Sequence, residues 1–148
     1  MKSWQRRTIG ILTLGGAATG ITIVLSQMVQ SQLSIGAFIV SSIFLAICGL
    51  GIAAGVFVLE DDDRANQFAI PFWLLQVPVL SSAWISYEMS TGARFNVLIN
   101  SGLDFRVIWG VGSQFSLYLF PEAPLNIGVN AIAIVVCLAL VRARSKTL

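Results

Sequence analysis

Residues 8–59 read TIGILTLGGAATGITIVLSQMVQSQLSIGAFIVSSIFLAICGLGIAAGVFVL, without one charged side chain. About 20 helical residues cross a bilayer, so this run is too long for one crossing and long enough for two. Its polar notch, Gln27, Gln30, Ser31, Gln32 and Ser34, predicts a helical hairpin folded about residue 31. The first span is placed at 8–29 and the second at 33–59, the latter long enough to tilt.

Met1–Arg7 resembles the basic start of a signal peptide, and Gly16, Ala17 and Ala18 imitate a cleavage site. The apolar run continues past them through Ile21–Leu25, so a retained span is preferred. Working outward, residues 60–67 (EDDDRANQ) form a polar connector. A third span is expected over 68–87, kinked by Pro71 and Pro78, with Gln76 at mid-depth and Trp73, Trp84 and Tyr87 towards its ends. A fourth is expected over 123–141, weakened in its first half by Asn126 and Asn130.

Composition agrees with lipid as solvent. Of 148 residues, 56% are hydrophobic and 11% charged, against roughly 25% charged in soluble domains. The resulting expectation is one domain, an all-α integral membrane protein of four transmembrane helices. Its insertion between helices three and four, 88–122, lies on the extracytoplasmic side.

Basic residues favour the cytoplasmic side. Lys2, Arg6, Arg7, Arg142, Arg144 and Lys146 flank the spans, and only Arg94 and Arg106 fall in the outer segment. Both termini are therefore expected in the cytoplasm, with the chain in the plasma (inner) membrane.

Glycine pairs at i, i+4 let helices approach closely. A hairpin about residue 31 sets Gly16 beside Ala46, Gly20 beside Ser42, and Thr13 beside Gly49. Close packing of the first two spans is expected through these positions.

In 88–122, Phe95, Val97 and Ile99 alternate with Arg94, Asn96 and Leu98. Asn100-Ser101-Gly102 signals a turn, after which Phe105, Val107 and Trp109 alternate with Asp104, Arg106 and Ile108. This pattern predicts a β-hairpin, ahead of an interfacial helix or a fifth crossing over 103–120. A fifth crossing would draw Asp104 and Arg106 towards lipid.

Little chemistry is encoded. With no histidine, zinc HExxH sites and Ser-His-Asp triads are excluded. Cys48 and Cys137 sit in apolar runs and read as small buried hydrophobes. Glu60–Asp63 lacks the complementary ligands of a magnesium or calcium site and reads as a solvated connector. No catalytic residue, metal site or cofactor is assigned, and the scattered basic residues exclude a nucleic-acid footprint. Arg94, Asp104, Arg106 and Trp109 remain as a partner or ligand surface, with an Asp104–Arg106 ion pair expected on one strand face.

The leading functional expectation is a non-enzymatic accessory or interaction subunit of a larger membrane assembly, bound to the bilayer and to a membrane-protein partner or its own copies. A homo-oligomeric channel or transporter component is the alternative, and a membrane enzyme comes last.

Overall fold

The computed structural model describes residues 2–30 and 34–144. The turn expected about residue 31 and the tail residue Lys146 lie outside them. Chain order is α1 (Ser3–Gln30), α2 (Ile35–Glu60), α3 (Ala65–Leu74), β1 (Pro78–Ser81), β2 (Ile85–Ser90), β3 (Ala93–Asn100), β4 (Phe105–Val111), β5 (Gln114–Leu119), β6 (Asn126–Asn130) and α4 (Ala131–Arg144). The four-span, all-α expectation is thus overturned. A six-stranded antiparallel sheet accompanies the helices, and among the described residues only two helices, over Ser3–Val29 and Ile35–Glu60, are long and apolar enough to cross a membrane.

The expected third and fourth spans each divide into helix and strand. Pro78 lacks an amide proton and disfavours helical backbone in Val77, so α3 closes at Leu74. Beyond it, β-branched and aromatic residues take the chain into β1 and β2. Trp73, expected near an interface, is fully buried and donates its indole N–H to the Thr13 hydroxyl at 2.9 Å. In the fourth segment Asn126–Asn130 is a strand. The Asn130 side-chain oxygen then accepts from the Ile132 amide at 3.2 Å, capping the start of α4.

Helices α1 and α2 pack closely in antiparallel fashion. Ser34 caps α2 by accepting from the Ala37 amide. Asp61 ends it in the left-handed region at φ 60°, and its carboxylate pairs with Arg6 at the start of α1. A Cβ on Gly51 would lie 2.9 Å from that of Ala17, and one on Gly20 2.9 Å from the Cys48 sulfur. Both contacts centre the pairing on residue 34, three positions later than expected, so each α1 residue meets a partner six residues further along α2, well over one helical turn.

That shift changes which faces meet. Gly20 faces Cys48 in place of Ser42, and Gly16 faces Thr91 and Gly92 in place of Ala46. Ser42, Ala46 and Gly49 are exposed; the Ser42 hydroxyl donates back to the Phe38 carbonyl.

The sheet order is β4-β3-β6-β1-β2-β5. Its register reveals one long, bent hairpin. Ile85 faces Leu119 and Ser90 faces Gln114 in one arm; Ala93 faces Val111 and Ile99 faces Phe105 in the other. The register passes through the bend without a slip, bridged by the Gly112 amide donating to the Gly92 carbonyl at 2.8 Å. Both glycines have positive φ, +82° and +124°, which lets the paired strands turn together. Strands β1 and β6 fill the space between the arms. The β3–β4 hairpin and its turn at Asn100 fall where the alternation placed them.

Candidate functional site: the polar lining of the curled sheet

Strict alternation divides this sheet into two chemically distinct faces. Ser86, Glu88, Ser90, Arg94 and Asn96 share one face with Gln114 and Ser116. Ile85, Tyr87, Met89, Phe95, Val97 and Ile99 share the other with Phe105, Val107, Trp109 and Val111. The polar face is the concave one. Asn96 is 1% exposed while its neighbour Phe95 is 41% exposed.

Glu88 organises the lining. One carboxylate oxygen accepts from the Asn96 amide at 2.9 Å and from the Arg94 guanidinium at 3.5 Å. The other accepts from the Gln114 amide at 3.5 Å. Arg94 lies opposite Gly110, where any Cβ would stand 3.2 Å from its Nε. The guanidinium therefore fits because its cross-strand neighbour has no side chain. Below this group, buried Asn96 and Asn130 face each other across β3 and β6. The Asn130 oxygen also accepts from the Phe95 amide at 3.2 Å.

Gln76, fully buried at the end of α3, accepts from the Thr91 amide and hydroxyl at 2.8 and 3.0 Å. It ties the short helix to the bend. Ser113 donates its hydroxyl to the Gly16 carbonyl at 2.6 Å, fixing the bend to α1. The outer face of β2 and β5 packs on the helices through buried Met89 and through Phe115, whose ring stacks on Phe44. The corresponding face of β3, β4 and β6 is bare.

The four sequence-derived surface residues do not converge. Arg94 is half-buried and turned inward onto Glu88. Asp104 sits in the turn before β4, its amide donating to the Asn100 side chain. Arg106 is exposed on β4, and no ion pair joins it to Asp104 among the described residues. Trp109 is exposed on the opposite face of that strand. Sequence reasoning missed Glu88, Asn96 and Gln114 as the partners of Arg94. Extending the alternation back to Ile85 and forward to Leu119 would have grouped them.

At the other end of the molecule, Arg64 donates side-chain and backbone hydrogen bonds to Asp62. These bonds hold the Asp62 carboxyl down to about 2. Among the described residues no group of cysteines and carboxylates is arranged to hold a metal ion. Arg94, Asn96 and Gln114 direct hydrogen bonds at Glu88, while the Ser90 hydroxyl, the Asn96 oxygen and the Asn130 amide nitrogen are buried without a partner among the described residues. Asp104 lies in the turn, and Arg106 is exposed at the far end of the same face, opposite Leu98.

Comparison with protein-family models, with curated proteins and with solved structures found no match. The class defined by the geometry is therefore architectural: a long apolar helical hairpin joined to two short helices and a bent, polar-lined sheet.

Proposed function

We propose that this is a small integral membrane protein whose α1–α2 hairpin crosses the plasma (inner) membrane, and that it serves as a non-enzymatic accessory subunit of a larger membrane assembly. Arg6, the 61–63 carboxylates and the α4 residues Leu140 and Ala143 line one cavity. The start of α1, the connector and the end of α4 thus share one end of the molecule. Lys2, Arg7, Arg64 and Arg142 accompany them in sequence, which supports a cytoplasmic assignment for that end.

The observation carrying the accessory role is the free edge of β4. This strand pairs with β3 on one side only and ends the sheet. It contains no proline or lysine, and Arg106 is its one charge. Soluble proteins usually guard such an edge with charge, proline or a bulge; an unguarded one accepts a strand from another chain.

A photo-crosslinking amino acid at Val107, in the full-length chain and its native membrane, tests this reading. One recurrent heterologous membrane protein among the adducts is the expected result. Adducts only with the chain's own copies would replace the accessory role with homo-oligomerisation. Absence of any protein adduct would reject the docking edge.

A further inference from the structure

We infer that the bare face of β3, β4 and β6 is seated in the acyl chains of the outer leaflet, so that the sheet, as well as the helical hairpin, is embedded in the membrane. This rests on the membrane reading proposed above and adds a second lipid-contacting surface to it.

The first support is the direction of the sheet's polarity. A water-soluble sheet buries its apolar face and exposes its polar one. Here Glu88, Arg94, Asn96 and Asn130 line the interior, while Phe105, Trp109 and Val111 are 76%, 77% and 87% exposed. Polar inside and apolar outside is the arrangement of strands solvated by lipid.

Depth along the hairpin is the second. Charge ends at Arg7 and the glutamine-bearing notch begins at Gln27, a helical length of about 30 Å, matching a hydrocarbon core. The bend of the sheet lies beside Gly16, roughly 13 Å above Arg7. From there β5 climbs to Leu119, which shares a groove with Gln27, Gly36 and Ala37 near the far end of the hairpin. The sheet therefore starts near mid-membrane and rises through the outer half.

The side chains sort accordingly. At the far ends of the strands stand the polar turn Asn100-Ser101-Gly102, Asp104, and the Trp84–Phe120 ring pair with centroids 5.9 Å apart. Polar turns and amphipathic rings suit the headgroup level. Strand pairing on both sides satisfies the backbone of β3, β6, β1 and β2, as hydrocarbon requires; β5 runs along the helical hairpin, and the free edge of β4 is left for the protein partner.

The test uses the full chain in phosphatidylcholine–phosphatidylglycerol vesicles, with Cys48 and Cys137 replaced by alanine. A single cysteine carrying an environment-sensitive fluorophore is introduced as Trp109→Cys, Val107→Cys, Phe105→Cys or, as a control on α1, Ile11→Cys. Nitroxide lipids labelled near the carbonyl or near the chain terminus report depth, and iodide reports water.

All four sites should lose most of their emission to nitroxide lipids and little to iodide. Trp109 should respond most to the deep label and Phe105 to the shallow one. Quenching of Ile11 by lipid with Trp109 and Val107 quenched by iodide would overturn the embedded sheet and leave the membrane reading intact. Shielding of Trp109 and Val107 from both quenchers would assign their face to protein and overturn it too. An Ile11 probe untouched by lipid nitroxides would defeat the membrane reading itself.

Discussion

The side-chain amide of Asn96 on β3 reaches the carboxylate of Glu88 on β2 at 2.9 Å, although β6 and β1 stand between the two strands. In a flat sheet three strand spacings would hold them roughly 14 Å apart. The sheet is therefore strongly curled, and Glu88 spans its concave side.

Replacing Glu88 with alanine removes the common acceptor of Arg94, Asn96 and Gln114. It leaves a half-buried guanidinium without its counter-charge. A loss of about 1–3 kcal/mol is expected, with Glu88→Gln milder because its amide oxygen still accepts. Thermal unfolding in detergent, followed by circular dichroism, reads the difference. An unchanged midpoint for Glu88→Ala would show that the curl does not depend on this carboxylate.

Neighbouring glycines of α1 should behave oppositely. A Cβ on Gly16 would stand 2.5 Å from the Gly92 amide nitrogen, whereas Gly15 has open space around it. Backbone atoms cannot rotate away, so Gly16→Ala should cost about 1–3 kcal/mol. Gly15→Ala should be neutral or stabilising by up to about 1 kcal/mol through helix propensity. Equal midpoints for the two variants would contradict the contact between α1 and the bend.

Asn130→Ala removes the cap of α4 and the acceptor of the Phe95 amide together. Cap loss alone is worth about 1 kcal/mol. Amide hydrogen exchange should therefore accelerate at Ile132 and at Phe95, in two elements far apart in sequence. Acceleration at Ile132 alone would mean that the second bond does not form in solution.

Asp62 gives a pH prediction. Its carboxyl is held down to about 2 by hydrogen bonds from Arg64. A depressed carboxyl favours the folded arrangement above the ordinary carboxylate range, and the advantage is lost as pH falls through about 2. The sensitive readout is the group's own titration by NMR. Arg64→Ala removes the side-chain bonds and keeps the backbone one, so it should raise the midpoint part of the way to the ordinary range. A midpoint unmoved by that substitution would show that the Arg64 side-chain bonds are absent in solution.

Parts of the fold were legible in the sequence for identifiable reasons. The absence of charge from Thr8 to Leu59 is a local property, and α1 and α2 follow from it. The alternation from Arg94 to Trp109 about Asn100-Ser101-Gly102 likewise shows in β3 and β4. The apolar runs near Pro78 and Asn130 misled because hydrophobicity alone does not separate a buried strand from a helix. Pro78 and Asn130 were themselves the boundary signals, one ending a helix and the other capping one.

Of the candidate residues, Arg94 was recognisable as unusual, but its partners were not. Glu88 precedes it by six residues across a bend, and Gln114 follows by twenty. Alternation groups these positions on one face, but which of them meet is set only when the strands pair and curl. The hairpin contact shows the same limit: a hairpin centred three residues later, which slips the pairing by six, replaced Ala46 with Gly92 as the neighbour of Gly16.

The sequence by itself determined the two long apolar helices, the polar connector and the β3–β4 hairpin, because each depends on residues close together in the chain. Only the tertiary structure decided that two further apolar runs would be half helix and half strand, and that the polar side of the sheet would face inward around Glu88. Those outcomes depend on which distant strands pair and how sharply Gly92 and Gly112 let them bend, and sequence periodicity carries no record of either.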